Sequence, residues 1–123
     1  MEFDNLSNRI IGCAIEVHKT LGPGLLESAY EHCLAREFLL NDIAFEMQKP
    51  LAIEYKGVHL DCGYRIDLLV ENKLIIEIKA VDKIFSIHEA QILTYMKLAD
   101  ISIGLLINFN VELLKNGIKR FVI

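Results

Sequence analysis

Gly-Tyr-Arg-Ile-Asp-Leu-Leu-Val-Glu-Asn-Lys-Leu-Ile-Ile-Glu-Ile-Lys, residues 63–79, is the stretch whose reading decides the fold. Two apolar runs, 66–70 and 74–78, flank Glu71-Asn72-Lys73 and read as a β-hairpin. Side chains alternate between the faces of a strand, so the length of the loop sets which residues share a face. A loop of Glu71–Lys73 pairs Val70 with Leu74 and puts Asp67 opposite Glu77. One face then carries Ile66, Leu68, Val70, Leu74, Ile76 and Ile78, and the other brings Asp67, Glu77 and Lys79 together. A loop shorter by one residue separates the two acids and mixes polar groups into the core, so the pattern selects the first register.

Two carboxylates directly opposite each other on neighbouring strands repel unless a cation lies between them. A hard divalent ion such as Mg²⁺, bound through oxygen, supplies that cation. Lys79 projects beside the same spot, where it can hold a phosphate or orient a water. An ordinary amphipathic hairpin with a solvated polar face is the structural alternative for the same residues.

The chain has 123 residues and is expected to form one domain over residues 1–123. That length buries about two-thirds of the unfolded surface. Hydrophobic residues make up 53% of it, yet no apolar run approaches the length of a membrane span. Without a basic-then-apolar leader, the expectation is a cytoplasmic protein that does not enter a membrane. The excess of apolar residues points to a homodimer interface, with Ile118–Ile123 as its expected contributor by position and composition. Cys13, Cys33 and Cys62 lack any C-x-x-C spacing and read as buried, reduced thiols.

The net charge of −4 argues against strong non-specific binding to nucleic acid. The charge is unevenly spread, however. Residues 1–62 carry five basic and ten acidic side chains, whereas residues 63–123 carry eight and seven. The half that holds the carboxylate pair also holds Lys83, Lys115, Lys119 and Arg120.

Asp4 is placed to cap a first helix with apolar positions Leu6, Ile10, Ala14, Val17 and Leu21, ended by Gly22-Pro23-Gly24. A second helix is expected over about 25–40, short strands at 43–48, 51–55 and 58–61, a third helix over 86–98, and strands at 102–109 and 118–123. The order strand, helix, strand within 74–109 makes the two strands parallel neighbours. The fold class is therefore α/β (α+β), a mixed sheet flanked by helices. On the third helix His88, Gln91 and Tyr95 share one polar stripe. On the second, Glu27 and Tyr30 share a face, and Glu27 reads either as a favourable first-turn charge or as an acid aimed at the metal.

Gly24-x-x-Glu27-x-x-Tyr30 resembles the motif that names the GxxExxY protein family, within the PD-(D/E)XK nuclease superfamily. The resemblance runs on through Ile66-Asp67, Glu77-Ile78-Lys79, Gln91–Tyr95 and Leu105–Phe109. One departure is visible: Ile66 stands where the superfamily's name has proline. The resemblance implies a restriction-endonuclease-like core, with Asp67, Glu77 and Ile78 as the set that holds Mg²⁺ or Mn²⁺ and Lys79 in the catalytic role. It also implies Glu27 as an additional acid from an N-terminal helix, and Gln91, Tyr95 and Tyr30 as substrate contacts.

The expected function is that of a metal-dependent nuclease hydrolysing phosphodiester bonds of nucleic acid, with DNA and RNA both open. The alternative is a catalytically inactive protein of the same fold, acting as a dimeric interaction or nucleic-acid-binding module. Small size, acidic charge and the lack of an added DNA-reading element favour the second; the retention of Asp67, Glu77 and Lys79 favours the first.

Overall fold

Asp4 opens the first helix: its carboxylate accepts the Ser7 N–H at 3.0 Å and the Ser7 hydroxyl at 2.6 Å. One donor that a first turn leaves free is thereby satisfied. Burial pushes the Asp4 carboxyl up, but the bonds from Ser7 and the Arg120 guanidinium outweigh it and hold the pKa at about 2. In this computed structural model, which describes residues 3–123, α1 spans Asn5–Leu21 and α2 spans Glu27–Leu40. Between them Gly22 and Gly24 take φ of +72° and +98°, conformations that cost glycine nothing.

The strands are β1 (Phe45–Pro50), β2 (Ile53–Tyr55), β3 (Val58–Leu60), β4 (Arg65–Val70), β5 (Leu74–Lys79), β6 (Ile103–Asn108) and β7 (Ile118–Val122). Helix α3 (Ser86–Ala99) crosses from β5 to β6, and a 3-10 turn at Leu114–Gly117 leads into β7. Five strands form one mixed sheet in the order β1-β4-β5-β6-β7, while β2 and β3 make a separate hairpin. Among the described strands only the β5–β6 pair is parallel, as the helical crossover requires.

One core lies between the sheet and the α1/α2 pair, and holds Ile10, Ala14, Tyr30, Leu34, Phe38, Leu68, Val70, Ile76, Ile78 and Ile107. A second lies under α3 and holds Leu69, Ile75, Ile92, Met96 and Leu106. The sheet is thus covered on both faces, which explains the nearly unbroken apolar runs of β5 and β6. Helix α3 approaches β6 at Gly104, where an added Cβ would stand 2.6 Å from the Met96 sulfur. This is a mixed α/β architecture of three helices and a five-stranded sheet, consistent with a restriction-endonuclease-like fold.

Two expectations need correction. Ile66 does not share a face with Leu68; it is buried in the α3-side core. The alternation breaks because the β4–β5 pairing ends at Leu68–Ile76, and β1 loses its pairing to β4 opposite Asp67. Nor are the three thiols all buried: Cys13 is, Cys33 is half-buried, and Cys62 is exposed in the connection that enters β4. No helix among the described residues is long and apolar enough to cross a membrane.

Candidate active site

The three-residue loop is present: Val70 pairs with Leu74, and Glu71 and Asn72 take φ of +53° and +55° to turn the chain. Counting back along that register sets Asp67 opposite Glu77. There the two carboxylates substitute for ladder bonds. The Asp67 N–H donates to Glu77 Oε2 at 2.9 Å, and the Ile78 N–H donates to Asp67 Oδ2 at 2.8 Å. Each acid thus keeps its second oxygen for another partner.

Lys79 ends β5 on the same side as Glu77, and its ammonium lies 3.4 Å from Gln91 Oε1. Gln91 Nε2 in turn donates to the Tyr95 hydroxyl at 3.2 Å. Tyr95 is buried, one turn further along α3, and Tyr64 meets its ring edge-on with centroids 6.1 Å apart. Lys79 makes no ion pair among the described residues, so its charge acts on the two acids through space.

Burial, reinforced by the charge of Asp67, pushes the Glu77 carboxyl up to about 8; the Asp67 N–H and Lys79 offset only part of this. Burial raises Asp67 as well, against the bonds from Ile78 and Gln48 and the charge of Lys79. The Tyr95 phenol is raised by burial and then by Glu77. Desolvated acids held together in this way favour the neutral form, or a cation between them.

The donor set is hard. Asp67 and Glu77 contribute only oxygen, and Ile78 has no ligating atom except its main-chain carbonyl. Such a set fits a small divalent ion that keeps several waters, as Mg²⁺ does. No group of three or more His, Cys, Asp or Glu able to hold a metal occurs among the described residues. Any ion here would therefore rely on the carboxylate pair, main-chain oxygen and water.

Helix α2 differs from expectation. Glu27, its first residue, is exposed and lines a shallow depression with Leu25, Leu26, Ser28 and Ala80, making no side-chain hydrogen bond among the described residues. Glu31, one turn on, is the acid brought toward Asp67. It is only 7% exposed, accepts from Gln48 Nε2 at 2.6 Å, and is raised by burial and by the nearby charge of Asp67. The signal for it was a charge inside the buried stripe of Tyr30, Leu34, Ala35 and Phe38.

Tyr30, expected among the substrate contacts, lies inside the fold. Its ring has no exposed surface and stacks on Phe109 with centroids 4.5 Å apart. Its hydroxyl donates to the Gly22 carbonyl at 2.6 Å and accepts from the Leu25 N–H at 3.1 Å, pinning the turn before α2. His88 leaves the polar stripe too, because its Nδ1 accepts the Phe85 N–H at the start of α3.

The connection from Lys79 to α3 is also fixed. Asn108, buried at the end of β6, donates to the Val81 carbonyl at 2.9 Å and accepts from the Val81 N–H at 3.1 Å. A side-chain amide thereby continues the β5–β6 pairing past the last backbone rung.

A model of the PD-(D/E)XK nuclease superfamily matches residues 4–121, nearly the whole chain, and the chain belongs to that superfamily. No curated protein and no solved structure matches it.

Proposed function

We propose that this member of the PD-(D/E)XK nuclease superfamily is a divalent-metal-dependent phosphodiesterase acting on nucleic acid. The observation that carries this reading is the reciprocal hold of Asp67 and Glu77, with Lys79 on the same side of the same strand. Asp67, Glu77 and the Ile78 carbonyl would hold Mg²⁺ or Mn²⁺. A bound ion of that kind supplies Lewis acidity toward a phosphate oxygen and lowers the pKa of water.

The side chains of this site carry the remaining work. Lys79 brings a positive charge to the phosphate, where it stabilises the charge that builds on the non-bridging oxygens and orients the attacking water. Gln91 steadies that ammonium, and Tyr95 steadies Gln91. Both can also bond the phosphate backbone when substrate arrives. Glu27 enters only as an exposed acid at the rim, beside Ala80. The sequence Gly24-x-x-Glu27-x-x-Tyr30 supports a finer reading within the GxxExxY group.

The same reading includes a homodimer. Among the described residues strand β7 pairs with β6 alone, leaving its outer edge open, and Val122 and Ile123 are exposed there. An open apolar edge is a template for a second strand. Light scattering should give about twice the 14.0 kDa of one chain; a particle of 14.0 kDa at micromolar concentration excludes the dimer.

The deciding experiment incubates the pure protein with single- and double-stranded DNA and RNA, with Mn²⁺ or with chelator, beside Lys79→Ala. Cleavage of at least one substrate by wild type in Mn²⁺ alone, lost in the variant, is the expected result. No cleavage, together with a melting temperature that Mn²⁺ leaves unmoved, supports the inactive interaction module instead.

A further inference from the structure

Gln48 is the one non-glycine residue within a strand, among the described residues, that takes a positive φ, +51°. The others with positive φ, Asp42, Lys56, Glu71, Asn72 and Asp100, lie in turns or at a helix end. Gln48 also falls where β1 and β4 lose their pairing, with Asp67 opposite. A left-handed residue in mid-strand costs of order 1–3 kcal/mol, and it persists only when its surroundings determine it.

The side chain identifies those surroundings. Gln48 Nε2 donates to Glu31 Oε1 at 2.6 Å and lies 3.4 Å from Asp67 Oδ1. Both partners are carboxylate oxygens, so only the amide nitrogen can face them. A single neutral NH₂ therefore joins a buried acid of α2 to the Asp67 oxygen not used by the Ile78 N–H.

We propose that Gln48 is a positioning residue for the cation site. It ties Glu31 to Asp67, aims the free Asp67 oxygen, and so sets the affinity for a divalent ion. The proposal rests on reading Asp67 and Glu77 as the metal pair, and extends it to two residues outside the motif. Glu31 then acts through Gln48, as an outer partner that orients a ligand. Loss of such partners typically weakens metal binding by about 10- to 100-fold.

Calorimetric titration with Mn²⁺, without nucleic acid, tests the link on Gln48→Gly, Glu31→Leu and the double variant. Glycine accepts φ of +51° without strain, which offsets the donor that Glu31 loses, so Gln48→Gly should melt in chelator close to wild type. Each single variant should nevertheless bind Mn²⁺ about tenfold more weakly. The double variant should bind no more weakly than the poorer single one, because the two residues form one connection. Wild-type affinity in both single variants, or losses that multiply in the double variant, overturns the proposal while leaving the metal pair standing. If wild type itself binds no Mn²⁺, the metal reading fails and this proposal fails with it.

Discussion

Asp67 and Glu77 each hold the other's strand: the Asp67 N–H reaches Glu77 Oε2 at 2.9 Å, and Asp67 Oδ2 takes the N–H of Ile78, the residue after Glu77, at 2.8 Å. The acids are therefore part of the sheet's own hydrogen bonding, beside the role proposed for them in metal binding. Two substitutions at Asp67 separate these roles. Asp67→Asn keeps an acceptor oxygen for the Ile78 N–H and removes the desolvated charge that faces Glu77. In chelator it should melt at or above wild type. Asp67→Ala strands that N–H and should cost about 1–3 kcal/mol. Neither variant should bind Mn²⁺. If Asp67→Asn melts clearly below wild type in chelator, the acid is structural and the metal site is abandoned.

Glu77 gives the metal-free protein an unusual pH response. Its folded pKa, about 8, lies above the ordinary 4.5, so the folded state retains a proton that the unfolded state loses. Stability from this group is complete below about pH 4.5 and declines as pH rises toward 8, by an amount on the order of a few kcal/mol. Raised values for Asp67 and Glu31 act in the same direction. Denaturant melts in chelator between pH 5 and 9 should show this decline, and Glu77→Gln should remove most of it. Saturating Mn²⁺ should also flatten it, since a cation favours the charged form. A flat wild-type profile in chelator contradicts the burial of the charge.

Among the described residues Lys79 bonds only to Gln91, so its removal should leave the fold intact. For Lys79→Ala the expectation is a stability change within about 1 kcal/mol of wild type, typical of a half-buried polar contact. Cleavage should fall by about 10²–10³-fold, the scale for losing one group that stabilises transition-state charge. Single-turnover assays at saturating Mn²⁺ measure the second effect, and denaturant melts the first. Wild-type turnover in the variant would remove the lysine from the chemistry.

Tyr30→Phe separates a motif residue from the site. The variant keeps the stack on Phe109 but loses both hydroxyl bonds to the Gly22–Leu25 turn. A loss of about 1–3 kcal/mol is expected, with oligonucleotide affinity of the folded protein unchanged. Fluorescence anisotropy on labelled DNA and RNA, run well below the melting temperature, checks it. Weakened binding without lost stability would return Tyr30 to the substrate surface.

Much of this arrangement was legible in residues 63–79, because strand alternation is rigid and only one loop length sets Asp67 opposite Glu77. The third helix was equally open to reading, since Gln91 and Tyr95 follow the helical period. Ile66 was not, because alternation assumes an unbroken ladder and the acids themselves interrupt it. Glu31 was overlooked in favour of Glu27, the motif's own acid. Which acid of a helix faces inward depends on where the helix begins, and α2 starts at Glu27 rather than near Leu25. Gln48 left no trace in the pattern, since a lone glutamine in a short strand looks like any exposed polar residue until its backbone angle is known.

The amide of Asn108 has a consequence for the order in which the protein comes into being. Asp67, Glu77 and Lys79 lie within one hairpin, and a nascent chain that has emerged through β5 already carries all of them. The parallel neighbour of β5 and the clamp on Val81 come from residues 103–108, after the whole of α3. Domains tend to fold as units during synthesis, and parallel pairing is among the slower steps. The candidate site is thus written early and assembled late, so a growing chain carries its three residues without the finished arrangement until β6 has docked.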